Sequence, residues 1–212
     1  MEKFLDRREA GQRLAEKLIA LKGQSAVIVL GIPRGGIVVA DEIAQALDAP
    51  LDVFITRKIG APFNHELALG AVASDGTVFL DQALIHQLHI PRILVEHERK
   101  KQLREIARRV SLYRGSRAPL IVENKIVILV DDGIATGSTT IAALRALRKQ
   151  NPQRIILAVP VAPRPSLPIL RAECDELVIL DSPEPFVAVG LFYEDFGQVT
   201  DDKVVEILRE RD

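Results

Sequence analysis

The run "IVILVDDGIATGSTT", residues 126 to 140, ends an apolar stretch in two adjacent carboxylates, Asp131 and Asp132. Gly133 and Gly137 follow, with the hydroxyl side chains Thr136, Ser138, Thr139 and Thr140 around them. Paired carboxylates repel a bare phosphate, but they accept hydrogen bonds from vicinal hydroxyls or hold a cation. The glycines let the backbone bend and come close to a ligand. A helix starting near Gly137 turns free N–H groups and its positive dipole end into the bend, which makes an anion cradle suited to a phosphate monoester. Phosphate beside a diol describes ribose 5-phosphate. The bend lacks the lysine of a P-loop, and the chain has no G-x-G-x-x-G fingerprint. Helix capping explains one aspartate, not a pair at the end of a buried strand.

The elements that must position this loop follow from periodicity. Residues 3 to 22 read as an amphipathic helix, with Leu14, Leu18 and Leu21 at helical spacing. "SAVIVLG" is a strand, "GIVVADEIAQALDA" a helix and "LDVFITR" a second strand. "LALGAVASDGTVFLD" reads as a hairpin turning at Asp75-Gly76. Residues 82 to 114 are helical with a break near Pro91. "KIVILVD" is a strand, "STTIAALRALRKQ" a helix, and "RIILAVPVA" and "ELVIL" two further strands around a short helix after Pro168. "VVEILRERD" is a closing helix. Strands that are apolar throughout and separated by helices predict an α/β fold, a doubly wound, mainly parallel sheet covered on both faces.

Ligands in such sheets sit beyond the carboxyl ends of the strands. There the first strand delivers Gly31-Ile32-Pro33-Arg34-Gly35-Gly36, the second Arg57-Lys58 and the third the aspartate pair with its hydroxyl turn. The fourth delivers Pro160 to Arg164, and the fifth Asp181-Ser182-Pro183. Two of these sets suit phosphates and one suits sugar hydroxyls or a metal.

Composition sets the bounds. The chain has 212 residues, 48% hydrophobic and 27% charged, which fits one globular domain. With 28 Lys+Arg against 29 Asp+Glu there is no global pull toward nucleic acid or membrane. No apolar run approaches a membrane span, and the charged start "MEKFLDRREAGQRLAEKLI" is not a signal peptide. A single cysteine, Cys174, forms no internal disulfide and reads as a small hydrophobe, so a cytoplasmic location is expected. His86, His89 and His97 read as surface residues, not metal ligands.

"VILVDDGIATGST" resembles the 5-phosphoribosyl 1-diphosphate motif of type I phosphoribosyltransferases: two acids after a hydrophobic strand, then a Thr-Gly-x-Ser/Thr turn. The chain looks closest to a poorly assigned bacterial subgroup of that family, on "GIPRGG", "RKIGAP", "ELALGAV", "YRGSR" and "FVAVGLFYEDFGQV". The resemblance implies transfer of a 5-phosphoribosyl group to a nitrogen acceptor, with release of diphosphate and with Mg²⁺ as charge partner. It implies a single domain over residues 1–212, with a core at about 24–181 and a hood from 1–22 and 182–212. Asp131 and Asp132 would bind the ribose 2- and 3-hydroxyls and help hold Mg²⁺ indirectly, through those hydroxyls or water. The loop Gly133-Ile134-Ala135-Thr136-Gly137-Ser138-Thr139 would hold the 5-phosphate by its amides and the Thr136 and Thr139 hydroxyls. Pro33-Arg34-Gly35-Gly36 would be the diphosphate loop, which in this family often carries a cis peptide. Arg57 and Lys58 would meet the same diphosphate. Asp131, Asp132, Arg34 and Lys58 form the implied catalytic set.

The acceptor should lie under the hood. Phe186 and Val187 resemble the base-stacking segment of purine enzymes, although the local excess of aromatics also fits a small satellite core. Ala135 stands where hypoxanthine–guanine enzymes carry an aspartate, so in this respect the loop is more like adenine and orotate members. Any base must then come from Glu194, Asp195 or Glu66. Residues 60 to 76 are a candidate lid, with His65 and Glu66 on it, or else an ordinary hairpin lead-in. The alternative function is a sensor of the diphosphate sugar or of nucleotides. The stretch from Arg92 to Arg117, with nine Arg/Lys against three glutamates, gives such a sensor an RNA-binding version. A solvated face with local ion pairs is the simpler reading of that stretch. Homodimers are common among such proteins.

Overall fold

In the computed structural model, the structure describes residues 3–211, with the side chains of His65 and Glu66 outside the described set. The centre is a five-stranded sheet built from β1 (Val27–Gly31), β2 (Leu51–Val53), β6 (Ile126–Val130), β7 (Arg154–Val161) and β8 (Glu176–Asp181). The strand order is β2-β1-β6-β7-β8 and every pairing is parallel. The apolar runs predicted these strands, because a sheet covered on both faces needs hydrophobic residues at every position. Alternate residues serve opposite faces. Val27 and Val29 of β1 join one core with Ile126, Ile128 and Val130 of β6. Ile28 and Leu30 join the other with Val127 and Leu129.

The first face is covered by α1 (Arg7–Leu18), α2 (Gly35–Leu47), α4 (Arg92–Arg114) and α7 (Asp201–Arg209). The second is covered by α5 (Ser138–Arg148) and α6 (Leu167–Glu173). The predicted helix over residues 3 to 22 is shorter. Asp6 caps α1 by accepting from the amides of Arg8 and Glu9, and the last turn, Ile19–Leu21, tightens to a 3-10 helix. The helical stretch after residue 82 divides at Pro91 into α3 (Gln82–Gln87) and α4, as expected from the missing proline N–H.

One element departs from expectation. "LDVFITR" is not a single strand. β2 ends at Val53, and after Phe54 and Ile55 the chain enters β3 (Thr56–Ala61) of a separate antiparallel sheet with β4 (Asn64–Ala73) and β5 (Val78–Leu80). The hairpin at Asp75-Gly76 is present, with Asp75 accepting from the Thr77 amide and hydroxyl. The candidate lid therefore lies within a paired hairpin. Leu69, Ala71, Val72 and Ala73 are buried against the body, and at its tip Phe63 is 67% exposed.

The outer segment over 182–212 also divides. Residues 192 to 195 pair with the segment before α1: Phe4 donates its amide to Phe192 O, and the amides of Glu194 and Asp195 donate to Phe4 O and Leu5 O. Together with Phe186, Val189 and Phe196 they make a small aromatic core around Phe4 and Tyr193. α7 instead packs into the main core through Val204, Ile207 and Leu208. Cys174 is half-buried with Sγ on Leu170 O, and burial raises its pKa, which suits a packing role. Among the described residues no helix is long and apolar enough to cross a membrane.

The edge at β2 is fixed by a buried ion pair. Asp52 is 2% exposed and accepts from Arg114 Nε at 3.0 and 3.1 Å, and from the amides of Val53 and Leu120. Removing one partner of such a pair strands the other charge. Asp52→Ala should cost about 3 kcal/mol of stability in denaturant titrations.

Candidate active site

The strand order places a switch point between β1 and β6: from β1 the chain moves outward to β2, then returns to the other side of β1 as β6. Two loops leave the carboxyl ends of this central pair, and ligands of open α/β sheets bind between such loops. One loop is Ile32 to Gly36 and the other Asp131 to Gly137. They are in contact. A side chain on Gly35 would put its Cβ 1.8 Å from Asp132 Oδ2, and one on Gly36 would put it 2.8 Å from Asp131 Cα. Only residues without a Cβ allow this approach. The Pro33–Arg34 peptide bond is cis, in the loop where the resemblance placed one.

Asp131 accepts the amide of Asp132 on Oδ1 at 2.9 Å. Burial first, and then the charge of Asp132, push the Asp131 carboxyl well above the ordinary range. Asp132 is held from three directions. Arg7 Nε donates to its Oδ2 at 2.7 Å, the Tyr193 hydroxyl donates to its backbone oxygen at 2.6 Å, and Gly35 lies beneath. Arg7 also donates to Gly197 O at 2.8 Å, and its guanidinium lies 3.8 Å from the centre of the Phe196 ring. Burial, followed by the Asp132 charge, raises the Tyr193 pKa, so its hydroxyl remains a donor. No local signal marked Arg7: it is one arginine on a charged helix, 125 residues from its partner.

Beyond the pair, Gly133 and Gly137 have φ of 152° and 80°. Gly137 opens α5 without any side-chain cap, and Ala135 and Thr136 are exposed beside it. Ser138 and Thr139 stand in the first turn of α5, partly exposed, so the bend offers amides and hydroxyls to an anion. Ile134 is buried and serves as an anchor, donating its amide to Val161 O.

Arg57 and Lys58 come to the Pro33 loop from β3, not from a strand of the parallel sheet as the sequence suggested. They line a cavity of about 450 Å³ with Pro33. Arg57 Nε donates to Gln102 Oε1 at 2.7 Å. Arg34 caps α2 and turns toward α7, with Nη1 3.8 Å from Asp201 Oδ1. Phe186 packs on Phe192 at 5.0 Å, within the satellite core, while Val187 is exposed. On α4, Glu96, Glu98 and Glu105 pair with Arg99, Lys101, Arg108 and Arg109, so local ion pairs run along the helix. Among the described residues no group of three His, Cys, Asp or Glu side chains gathers as a metal cage. Mg²⁺ fits only as a hard cation completed by ligand oxygens beside Asp131 and Asp132.

The chain belongs to the phosphoribosyltransferase family: the Phosphoribosyl transferase domain matches residues 2–191. A Mycobacterium tuberculosis protein named as a candidate phosphoribosyl transferase is 42% identical over 208 residues, 98% of this chain and 47% of its own length. The chain thus spans about half the length of the curated relatives it matches. The crystal structure of TT1426 from Thermus thermophilus is 44% identical, with a TM-score of 0.83 over 100% of this chain and 99% of that one. The adenine phosphoribosyltransferase of Pseudomonas fluorescens is 28% identical over 131 residues, 57% of this chain and 70% of its own length.

The acid pair is a site of stored cost. Near neutral pH the unfolded chain ionises Asp131 freely while the folded one resists, so this group subtracts from stability as pH rises above its ordinary pKa. Asp131→Asn should raise the thermal midpoint at pH 7, and the gain should close below about pH 4, where both states are protonated. Scanning calorimetry across that range checks it.

Proposed function

We propose that the chain transfers a 5-phosphoribosyl group from 5-phosphoribosyl 1-diphosphate to a nitrogen acceptor of the nucleobase class, releasing diphosphate. One observation carries this reading: an aspartate pair and an uncapped helix start face a two-glycine turn across the switch point, with Asp132 Oδ2 beside Gly35. A diol, a terminal phosphate and a leaving diphosphate need these three surfaces side by side.

The ribose 2- and 3-hydroxyls donate to Asp131 and Asp132. The 5-phosphate takes the amides from Ala135 to Thr139 and the Thr136 and Thr139 hydroxyls. Diphosphate lies on Pro33 to Gly36, with Arg57 and Lys58 from the side. The C1–O bond to diphosphate breaks through an oxocarbenium-like transition state as the acceptor nitrogen attacks, and the acceptor's proton leaves afterwards. The protein's work is to hold the sugar, stabilise the departing charge and keep water out. Mg²⁺, held by ligand oxygens with Asp131 and Asp132 behind hydroxyls or water, supplies charge neutralisation on the diphosphate when bound.

Ala135 is exposed and has no carboxylate to take the acceptor's proton. Similarity to an adenine phosphoribosyltransferase supports a nucleobase acceptor. A single domain, a homodimer and a cytoplasmic location belong to the same reading.

Diphosphate release should be measured across a panel of bases with Mg²⁺. Asp132→Asn should cut turnover by at least about a hundredfold, with the fold retained by circular dichroism. Silence of the parent chain across the panel, with measurable sugar binding, would establish the sensor instead. Gly35→Ala should act at the same carboxylate. Its Cβ displaces Asp132 Oδ2 from Arg7, so ribose 5-phosphate affinity in calorimetry should fall by about tenfold or more.

A further inference from the structure

α4 carries a charge run that the transfer reaction leaves unexplained. Its basic residues do not all face solvent. Glu98, Lys101, Gln102 and Arg109 line the 450 Å³ cavity opposite Pro33, Arg57 and Lys58. With Glu105, which holds Arg109, these positions run i, i+3, i+4, i+7 and i+11, so they share one helix face. Lys100 and Arg104 lie on the exposed side.

We propose that this face of α4 is a wall of the diphosphate site: Lys101 and Arg109 bind the leaving diphosphate, and Gln102 positions Arg57 for it. The inference rests on the reading of the site as one for a diphosphate sugar. It goes beyond the motifs that carried that reading, none of which includes the face of α4 from Glu98 to Arg109.

Four observations converge. Among the described residues the cavity is lined by four cationic side chains, Arg57, Lys58, Lys101 and Arg109, and by the carboxylate of Glu98, with Glu105 behind Arg109. A lining with more cationic than acidic side chains suits an anion of several charges. Arg57 is aimed by a relay: Glu98 Oε1 accepts from Gln102 Nε2 at 2.6 Å, and Gln102 Oε1 accepts from Arg57 Nε at 2.7 Å. That leaves the fork of terminal nitrogens for a bidentate oxyanion. Burial, and next the charge of Arg109, lower the Arg57 pKa, with Glu105 acting in the opposite sense, so Arg57 sits half-buried beside another cation. Finally, Thr56 lines the same cavity, is 8% exposed as a residue, and its buried hydroxyl has no hydrogen-bond partner. A buried hydroxyl left unpaired needs an explanation, and a phosphate oxygen supplies one. An RNA strand is disfavoured because the feature is a cavity of small-molecule size, not an open groove with stacking aromatics.

The test is calorimetric titration of the full chain with inorganic diphosphate plus Mg²⁺, and separately with ribose 5-phosphate. Lys101→Met and Arg109→Met are compared with Lys100→Met and Arg104→Met on the outer side. Lys101 is half exposed, so its variant keeps the experiment decisive if Arg109→Met fails to fold. Each inner variant should weaken diphosphate by about tenfold and leave ribose 5-phosphate within about twofold, while the outer variants change neither. Unchanged diphosphate affinity in Lys101→Met and in any folded Arg109→Met, with ribose 5-phosphate still bound, overturns the role of α4 alone. Equal losses from inner and outer variants would mark a diffuse electrostatic effect and overturn it too. A parent chain that binds neither ligand overturns the underlying reading, and this inference with it.

Discussion

The site depends on one steric constraint, the contact of two glycines with two aspartates. Gly35 and Gly36 let the turn after β1 lie directly on the carboxylates that end β6. Any larger residue would part the loops and move the turn after β1 away from the two carboxylates. The parallel pairing of β1 with β6 brings the two loops to the same end of the sheet. The glycines then close the remaining gap.

Electrostatics follows from that closeness. Burial of the strand end, and then the adjacent Asp132 charge, push the Asp131 carboxyl toward its neutral form. Arg7 offsets the charge on Asp132 from the outer cap. On the other side of Pro33 the sign reverses, with cations gathered around a cavity. The molecule thus sets an acidic corner against a basic one across a single turn. A sugar that carries a diol next to a diphosphate would match that polarity.

Much of this was legible in the chain. The strand ending in Asp131-Asp132 is continuous and apolar, and its glycine and hydroxyl punctuation has few other uses. The central sheet and its helices followed from alternating apolar runs and amphipathic segments. The second sheet was hidden because "LDVFITR" carries no breaker: the chain leaves the parallel sheet between Val53 and Thr56 without glycine or proline. Arg7 was hidden for a different reason, since its meaning arises only when the first helix meets a carboxylate from far along the chain. The inner face of α4 was recoverable in principle from its spacing. A count of charges could not reveal it, because the outward cations dilute the pattern. The aromatic segment could be read two ways from composition alone, and the packing of Phe4, Tyr193, Phe192 and Phe196 shows that a satellite core is part of the answer.

Arg7 has a wider consequence. One guanidinium touches the Asp132 carboxylate, the Gly197 carbonyl and the Phe196 ring, so it stitches the aromatic cap to the acid pair. The acidic corner thus carries a resident counterion. On the proposed reading, a diol arriving at Asp132 would share that oxygen or evict the arginine, and eviction would also loosen its grip on Gly197 and Phe196. Displacement of Arg7 by a sugar would thereby couple occupancy at Asp132 to the looseness of the aromatic cap.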